Sequence, residues 1–316
     1  MSKNITFLVN KSEITAGTRG ASLGPEAIMT AARKSGSDFF TGRPIEFLPC
    51  VNKFLDTETQ FRYAKRIDGV LEIYRTLNST VSQKIKENQF PVVLAGDHGS
   101  AGGTIAGIKS AFPDKRLGVV WIDAHADIHT PYTTPSGNIH GMPLATALGI
   151  DNIECKSNDI DEATGALWHQ LQNVGGIVPK IKPEDIVYVG VRSTEDEEDA
   201  CIARLNIKKI SVGEVRSGGV GQTVKDILDY LSGCDVIYIS FDVDSMDPDL
   251  TSRGTGTPVE NGLTPAEAKE MLIALAKNPK TVCLEIVEVN PCLDDKINTM
   301  AEVTLDLLEA VVAEMI

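Results

Sequence analysis

The sequence has few aromatic residues, which make up 5% of its 316 residues, whereas the apolar residues together make up 42%. A core of this chain must therefore be built mainly from Val, Ile, Leu and Ala. No apolar run reaches the roughly 18 residues that indicate a membrane-spanning helix. The first residues, MSKNITFLVNK, do not show a basic segment followed by a long apolar one. We therefore expect a cytoplasmic protein that has no membrane partner.

Cysteine pairs with the spacing of a metal site or a redox site are also missing. The six cysteines are scattered along the chain, and no two of them form a C-x-x-C motif. Several lie within apolar runs, which is typical of small buried thiols. The pattern favours reduced cysteines over a disulfide framework.

Positive charge is in deficit. Lys and Arg number 30 against 44 Asp and Glu, which gives a formal net charge of -14. Nucleic acids and anionic membrane surfaces require clustered cations, so neither is expected as the main partner. A cationic small molecule or a metal ion fits this balance better.

Short β-branched runs alternate with helical patterns along the whole chain. The runs are ITFLV, IEFLPCV, PVVLAG, LGVVWID, DIVYVGV, KKISV, DVIYISFDVD and TVCLEIVEV. They are nearly continuous in apolar residues, as strands buried on both faces of a parallel sheet are. We predict a doubly wound α/β fold with about eight parallel strands and helices on both faces. No repeat or linker divides the chain, so a single domain over residues 1–316 is expected.

Two helical patterns are specific enough to place. An amphipathic pattern runs from about Thr57 to Asn88. Another is predicted to begin with Thr264 as its N-cap, with Pro265 at the first helical position and Glu267 three residues after the cap.

Polar clusters follow five of the predicted strands. They read GDHGSAGG, DAHADIHT, RSTEDEED, DVDSMDPD and EVNP. Ligands of open α/β sheets bind beyond the carboxyl ends of the strands. The functional site is therefore expected where these five clusters meet.

Histidine is rare, yet three of the five histidines fall within residues 121–140. In an extended chain, side chains at alternate positions point to one side. The motifs D-x-H-x-D and D-x-D are therefore expected to converge, together with the histidine of G-D-H. The candidate metal ligands are His98, Asp123, His125, Asp127, Asp242 and Asp244.

These six residues would supply four carboxylates and two imidazoles. Four ionised aspartates balance the charge of two divalent cations, and an oxygen-rich set without thiolate suits Mn²⁺ better than structural zinc. A single aspartate at a strand end is more often a turn or cap residue. Three such motifs behind three buried strands favour a binuclear metal site, and such a site indicates hydrolysis.

At these residues the sequence resembles the ureohydrolases, the binuclear manganese family that includes arginases and agmatinases. The motifs AGDHGSAGG, DAHADIHT, SFDVDSMDP and GTGTPVENGLT carry the resemblance, which covers nearly the whole chain. The loop TTPSGNIHGMP is more similar to the arginase version than to the agmatinase one. The resemblance implies a central eight-stranded parallel sheet and a homo-oligomer, either a trimer or a hexamer.

The resemblance also implies two Mn²⁺ per subunit on the same six ligands. Hydroxide between the metals would attack the guanidinium carbon of L-arginine and give L-ornithine and urea. Asp127 would also pass a proton to the leaving amine, and His140 would act as a proton shuttle. Glu288 would orient the guanidinium group, and Thr257 would line its pocket.

Residues for the α-amino acid part of the substrate also follow from the resemblance. Ser136 and Asn138 match those that receive the α-carboxylate, and Glu195 and Glu198 match those that contact the α-ammonium group. His129 stands where arginases commonly have asparagine, so one carboxylate contact is expected to be rearranged, or strengthened if the imidazole is protonated. Glu195 stands where aspartate is usual.

Two alternatives stay open, the first of them because of these departures. One is a ureohydrolase that acts on another guanidino compound, such as agmatine or guanidinobutyrate. The other is a non-catalytic arginine-binding protein, in which losses among the metal ligands or at His140 would be expected. The loop DPDLTSRGTGTP is one residue longer than usual and carries Arg253, to which the sequence assigns no role.

Overall fold

A computed structural model describes residues 3–296 and 298–315. Its described residues form one sheet of eight strands in the order β2-β1-β3-β8-β7-β4-β5-β6, and all neighbours are parallel. Helices cover both faces, so the predicted fold class is confirmed. The strands are β1 Ile5–Asn10, β2 Ile45–Phe47, β3 Phe90–Ala95, β4 Leu117–Ile122, β5 Ile186–Val189, β6 Lys208–Ile210, β7 Val236–Asp242 and β8 Thr281–Val287.

Burial on both faces explains why the strand sequences are apolar without alternation. Successive residues of a strand point to opposite faces. In β1, Phe7 belongs to one core cluster and Leu8 to the other, and Val92 and Val93 in β3 are divided in the same way. Each of the six interior strands therefore needs apolar side chains at consecutive positions, whereas the edge strands β2 and β6 are less buried.

The helices divide between the two faces. α1, α7, α8, α9 and α10 contribute to the core on one face, and α2, α3, α4, α5 and α6 contribute to the core on the other. Their bounds are α1 Gly24–Ser35, α2 Ile67–Lys86, α3 Ala101–Ala111, α4 Pro143–Leu148, α5 Glu162–Gln172, α6 Asp196–Leu205, α7 Val212–Gly218, α8 Val220–Tyr230, α9 Pro265–Lys277 and α10 Thr299–Ala313. No helix among the described residues is long and apolar enough to span a membrane.

The start of α9 is confirmed, whereas the predicted start of α2 is wrong. Thr264 caps α9 with its side chain, which accepts a hydrogen bond from the backbone of Glu267. α2 begins at Ile67 and not near Thr57, because Arg66 has a φ of 58°. That left-handed conformation interrupts a helix. The Thr59 hydroxyl accepts the Arg66 N–H at 3.0 Å and holds the preceding segment in a turn.

The strand order brings the five polar clusters together. The clusters follow β3, β4, β5, β7 and β8, and these strands occupy five consecutive positions in the sheet. Because all strands are parallel, their carboxyl ends lie along one edge. Residues far apart in the sequence, such as His98 and Glu288, therefore meet there.

Candidate metal centre and substrate pocket

The chain turns immediately after β4, so the expectation of an extended path through Asp127 is wrong. β4 ends at Ile122, and the N–H of His125 then donates to Asp123 Oδ1 at 2.7 Å. Asp127 has a φ of 50°, in the left-handed region. The three side chains of D-x-H-x-D reach one place through this turn and not through strand alternation.

The His98 ring collects three carboxylates. Its Nδ1 lies 2.9 Å from an oxygen of Asp123, 3.0 Å from one of Asp127 and 3.2 Å from one of Asp242. The ring stacks on Trp121, with centroids 4.2 Å apart. Its other nitrogen, Nε2, lies 2.7 Å from the Ser240 hydroxyl. These contacts fix the direction in which Nδ1 points.

A second group forms around His125. Its Nδ1 lies 3.1 Å from Asp244 Oδ2 and 3.5 Å from Asp123 Oδ1. Asp123 therefore takes part in both groups, with one oxygen in each. A carboxylate placed in this way can bridge two cations.

The geometry of His98 fits metal ligation better than hydrogen bonding. Although three oxygens are near, Nδ1 has no hydrogen-bond partner with acceptable geometry. A ring nitrogen that is buried among carboxylates without such a bond is well placed to offer its lone pair to a cation. Asp123 has an oxygen at the same point, as do Asp127 and Asp242.

The buried carboxylates also call for positive charge. Burial and the charge of Asp123 raise the pKa of Asp127 to about 6. Burial, followed by Asp244 and Asp123, raises the pKa of Asp242 well above its usual value. The pKa of Asp123 is lowered despite burial, because it faces both imidazoles. Buried charges of one sign are costly unless cations neutralise them. The six residues therefore fit a binuclear metal site.

A cavity of about 390 Å³ opens above this cluster. Asp123 and Asp244 do not line it, and the other twelve predicted site residues do. The twelve are His98, His125, Asp127, His129, Ser136, Asn138, His140, Glu195, Glu198, Asp242, Thr257 and Glu288.

His140 and Glu288 are neighbours in the wall of this cavity. His140 Nδ1 lies 3.6 Å from Glu288 Oε1, and the same oxygen accepts the N–H of His98 at 2.8 Å. Burial opposes protonation of His140, but the nearby charges of Glu288 and Asp127 outweigh it and raise its pKa. Glu288 has a φ of 68°, which turns the chain at the end of β8.

The acidic stretch after β5 forms the first turn of α6. Glu195 is the N-cap and Glu198 the third helical residue, and the two make a capping box. The Glu198 side chain is buried, and both carboxylates also line the cavity. The acidic stretch is therefore both the start of a helix and part of the pocket wall.

His129 points toward this acidic pair. Its Nε2 lies 3.1 Å from a Glu195 oxygen and 3.7 Å from a Glu198 oxygen, and its Nδ1 lies 3.1 Å from the Thr133 hydroxyl. Burial lowers its pKa despite the attraction of Glu195. This direction of the pKa shift favours the neutral imidazole, and not the protonated one that would strengthen a carboxylate contact.

Three further contacts were not foreseen in the sequence. Thr257 lies beside the metal cluster, where its hydroxyl donates to Asp244 Oδ2 at 3.0 Å. Lys65 contacts Asn138, although it lies outside every motif and carries no sequence signal. Ser240 contacts His98. Its position in β7, two residues before the predicted ligand Asp242, could have indicated this contact. Arg253 does not line the cavity, and it lies 3.3 Å from Asp249.

Fold and site together define an α/β protein with a cluster of carboxylates and imidazoles at the carboxyl edge of a parallel sheet, and this cluster fits a binuclear metal site. The sequence model of the Arginase family matches residues 5–313. The chain is 33% identical over 316 residues to an arginase of Bacillus subtilis, covering 99% of each chain. It is 38% identical over 251 residues to an arginase of Bacillus caldovelox, covering 79% of this chain and 77% of that one. The crystal structure of an arginase from Bacillus cereus superposes with a TM-score of 0.81 at 31% identity, covering 98% of each chain.

The chain belongs to the arginase family. This confirms the resemblance carried by the motifs, and with it the predicted class of enzyme.

Proposed function

We propose that the protein is a manganese-dependent arginase, which hydrolyses L-arginine to L-ornithine and urea. The observation that carries the proposal is one cavity that is lined by four of the six candidate metal ligands, by Glu288, by the acidic pair and by the Ser136 to Asn138 loop. The other two candidate ligands, Asp123 and Asp244, contact His98 and His125 next to it. Membership of the arginase family supports the same conclusion.

Manganese is proposed because of the donor set. Four carboxylates and two imidazoles, with no thiolate, suit Mn²⁺. Bound divalent cations lower the pKa of water and supply hydroxide near neutral pH. The three contacts of His98 Nδ1 and the bridging position of Asp123 support two ions in each subunit.

The protein's own residues would orient the substrate and move protons. Glu288 would pair with the planar guanidinium group and fix its carbon above the metal cluster. Asp127 would hold the proton of the attacking water and pass it to the leaving amine. His140 would exchange that proton with solvent, since its ring is buried on one side and about a quarter exposed.

The remaining contacts would read the amino acid part of the substrate. Ser136 and Asn138 would donate hydrogen bonds to the α-carboxylate. Glu195 and Glu198 would attract the α-ammonium group, and neutral His129 would hold Glu195 in place without cancelling the negative charge.

A second candidate is a ureohydrolase for another guanidino compound, such as agmatine or guanidinobutyrate. The contact between His129 and Glu195 favours it, because it occupies one acidic side chain. A non-catalytic arginine-binding protein is less well supported, since all six metal ligands and His140 are present. We further propose a cytoplasmic homo-oligomer, a trimer or a hexamer, which light scattering on the purified protein tests.

The activity itself is tested with metal-stripped protein reloaded with Mn²⁺. Urea release is measured from L-arginine, agmatine and guanidinobutyrate at matched concentrations. A strong preference for L-arginine is expected. A preference for one of the other compounds would keep the metal chemistry and refute the arginine assignment, and binding of arginine without urea release would refute catalysis.

A further inference from the structure

Lys65 makes two hydrogen bonds to the loop that carries Ser136 and Asn138. Its ammonium group donates to Asn138 Oδ1 at 3.2 Å, and its backbone N–H donates to the carbonyl of Gly137 at 2.8 Å. Lys65 lies just before α2 and does not line the cavity. It therefore holds the loop from a position outside the cavity.

The bond to Oδ1 determines which end of the Asn138 amide is available. An ammonium group only donates, so it selects the carbonyl end of the amide. The NH₂ end then faces Gly17, where a β-carbon would lie 2.9 Å from Asn138 Nδ2. Gly17 and Asn138 both line the cavity. The donor end of the amide thus lies beside a second residue of the cavity wall, and hydrogen-bond donors are what an anion in the cavity requires.

The charge of Lys65 is not neutralised nearby. Among the described residues, no carboxylate oxygen lies within 4.0 Å of its amino group, although many other lysines form such pairs. The residues that line the cavity include five acidic side chains and no lysine or arginine. Lys65 is therefore a cation that is hydrogen-bonded to Asn138 in the cavity wall. The formal charges that line the cavity itself are mainly negative.

We propose that Lys65 is a positioning residue that gives the site its selectivity for substrates with an α-carboxylate. It orients the Asn138 amide, and it supplies positive potential where the carboxylate would lie. A charge-assisted hydrogen bond is stronger than a neutral one, and a cation kept out of the cavity does not repel the guanidinium group directly. This inference rests on the proposed arginase function.

The test compares ligands that differ in the carboxylate. Calorimetry on the manganese-loaded protein measures the Kd of L-ornithine and that of putrescine, its decarboxylated counterpart. For Lys65→Met, the Kd of L-ornithine is expected to rise roughly five- to tenfold, while that of putrescine stays unchanged. The KM for L-arginine should rise in parallel, with an unchanged kcat. Lys65→Gln keeps a hydrogen-bond donor but removes the charge. Its Kd for L-ornithine should therefore lie between that of the wild-type protein and that of Lys65→Met.

Lys53→Met is the matched control, since it removes the same charge from an exposed lysine that lies 3.7 Å from Glu72. It should leave both Kd values unchanged. Unchanged L-ornithine binding in Lys65→Met would overturn the inference, as would an equal weakening of both ligands, which would indicate a general loosening of the loop. Wild-type protein that does not distinguish the two ligands would overturn it as well. Wild-type protein that binds L-ornithine selectively but releases no urea from L-arginine would instead refute the proposed activity alone.

Discussion

At the scale of single residues, the cluster of candidate metal ligands depends on groups that are not themselves candidate ligands. Ser240 lies 2.7 Å from His98 Nε2, and the Tyr238 hydroxyl reaches both Ser240 at 3.3 Å and Glu285 at 2.6 Å. All of these side chains are buried. A hydrogen bond to the distal nitrogen of a ligating histidine fixes its ring and its tautomer. The Ser240 hydroxyl therefore keeps Nδ1 of His98 directed at the carboxylates.

Ser240→Ala is accordingly expected to lower the affinity for Mn²⁺ roughly tenfold. Competition with a chelator, followed by metal analysis, measures the change. Ser82→Ala is the control, because it truncates another buried serine, in α2, away from the site. Equal metal retention in the two variants would contradict the role given to Ser240.

The contacts of single side chains are also where prediction from the sequence reached its limit. The set of six candidate ligands was predicted from motif spacing, because carboxylates and imidazoles behind buried strands are unusual, and the structure brings the six side chains together. The direction of His129 could not be foreseen, since it depends on Glu195, 66 residues away. Lys65 was missed for the same reason. An ordinary lysine before a helix acquires its contact only when the segment before α2 lies against the Asn138 loop.

At the scale of elements, all eight predicted strands are present. The six interior strands are buried on both faces and leave continuous apolar runs, whereas the edge strands β2 and β6 are only three residues long and are largely not buried. The two failures concern local backbone conformation. α2 starts ten residues late because Arg66 adopts a left-handed conformation. The D-x-H-x-D stretch turns at Asp127 for a similar reason. Left-handed conformation outside glycine leaves little trace in sequence, since tertiary contacts impose it.

The loop of residues 134–138 is tied to the segment before α2 through Gly137. Gly137 has a φ of 75°, and a β-carbon there would lie 2.0 Å from the carbonyl oxygen of Arg62. Gly137→Ala should therefore displace the loop and raise the KM for L-arginine, besides lowering the apparent Tm. Steady-state kinetics and thermal melts measure the two effects.

Gly176→Ala provides a control with matched backbone strain. Gly176 has a φ of 73°, but a β-carbon there would meet no atom within 4 Å. Both substitutions bear the left-handed penalty of about 1 kcal/mol, and only Gly137→Ala adds a clash. A similar loss of Tm in both variants, with an unchanged KM, would show that the close approach to Arg62 does not position the loop.

At the scale of the whole molecule, metal and folding are linked through the buried carboxylates. The metal-free folded state raises the pKa of Asp127 to about 6, above its usual value of 3.8. Between these values the folded state binds more protons than the unfolded one. The contribution of Asp127 to stability is therefore present at low pH and is lost as the pH rises through this window.

Mn²⁺ should consequently raise the apparent Tm more at pH 7 than at pH 5. Bound cations neutralise the carboxylates, and protons compete with them at the lower pH. Melts of metal-stripped and reloaded protein at both pH values give the comparison, with Mg²⁺ as a weaker-binding control. An equal gain in Tm at the two pH values would mean that these carboxylates do not govern metal-linked stability.

The charge of the whole molecule should act on substrate capture. The formal net charge is -14. Five acidic side chains line the cavity, and no lysine or arginine does. L-Arginine is cationic at neutral pH, so a negative potential raises its local concentration. Added salt shortens the screening length from about 10 Å at 0.1 M to about 3 Å at 1 M. The KM for L-arginine should therefore rise with sodium chloride, while kcat, which reports steps after capture, stays level.

Sucrose at matched viscosity separates screening from slower diffusion. A KM that is flat across this range would mean that only the contacts inside the cavity, and not the surrounding charge, attract the substrate.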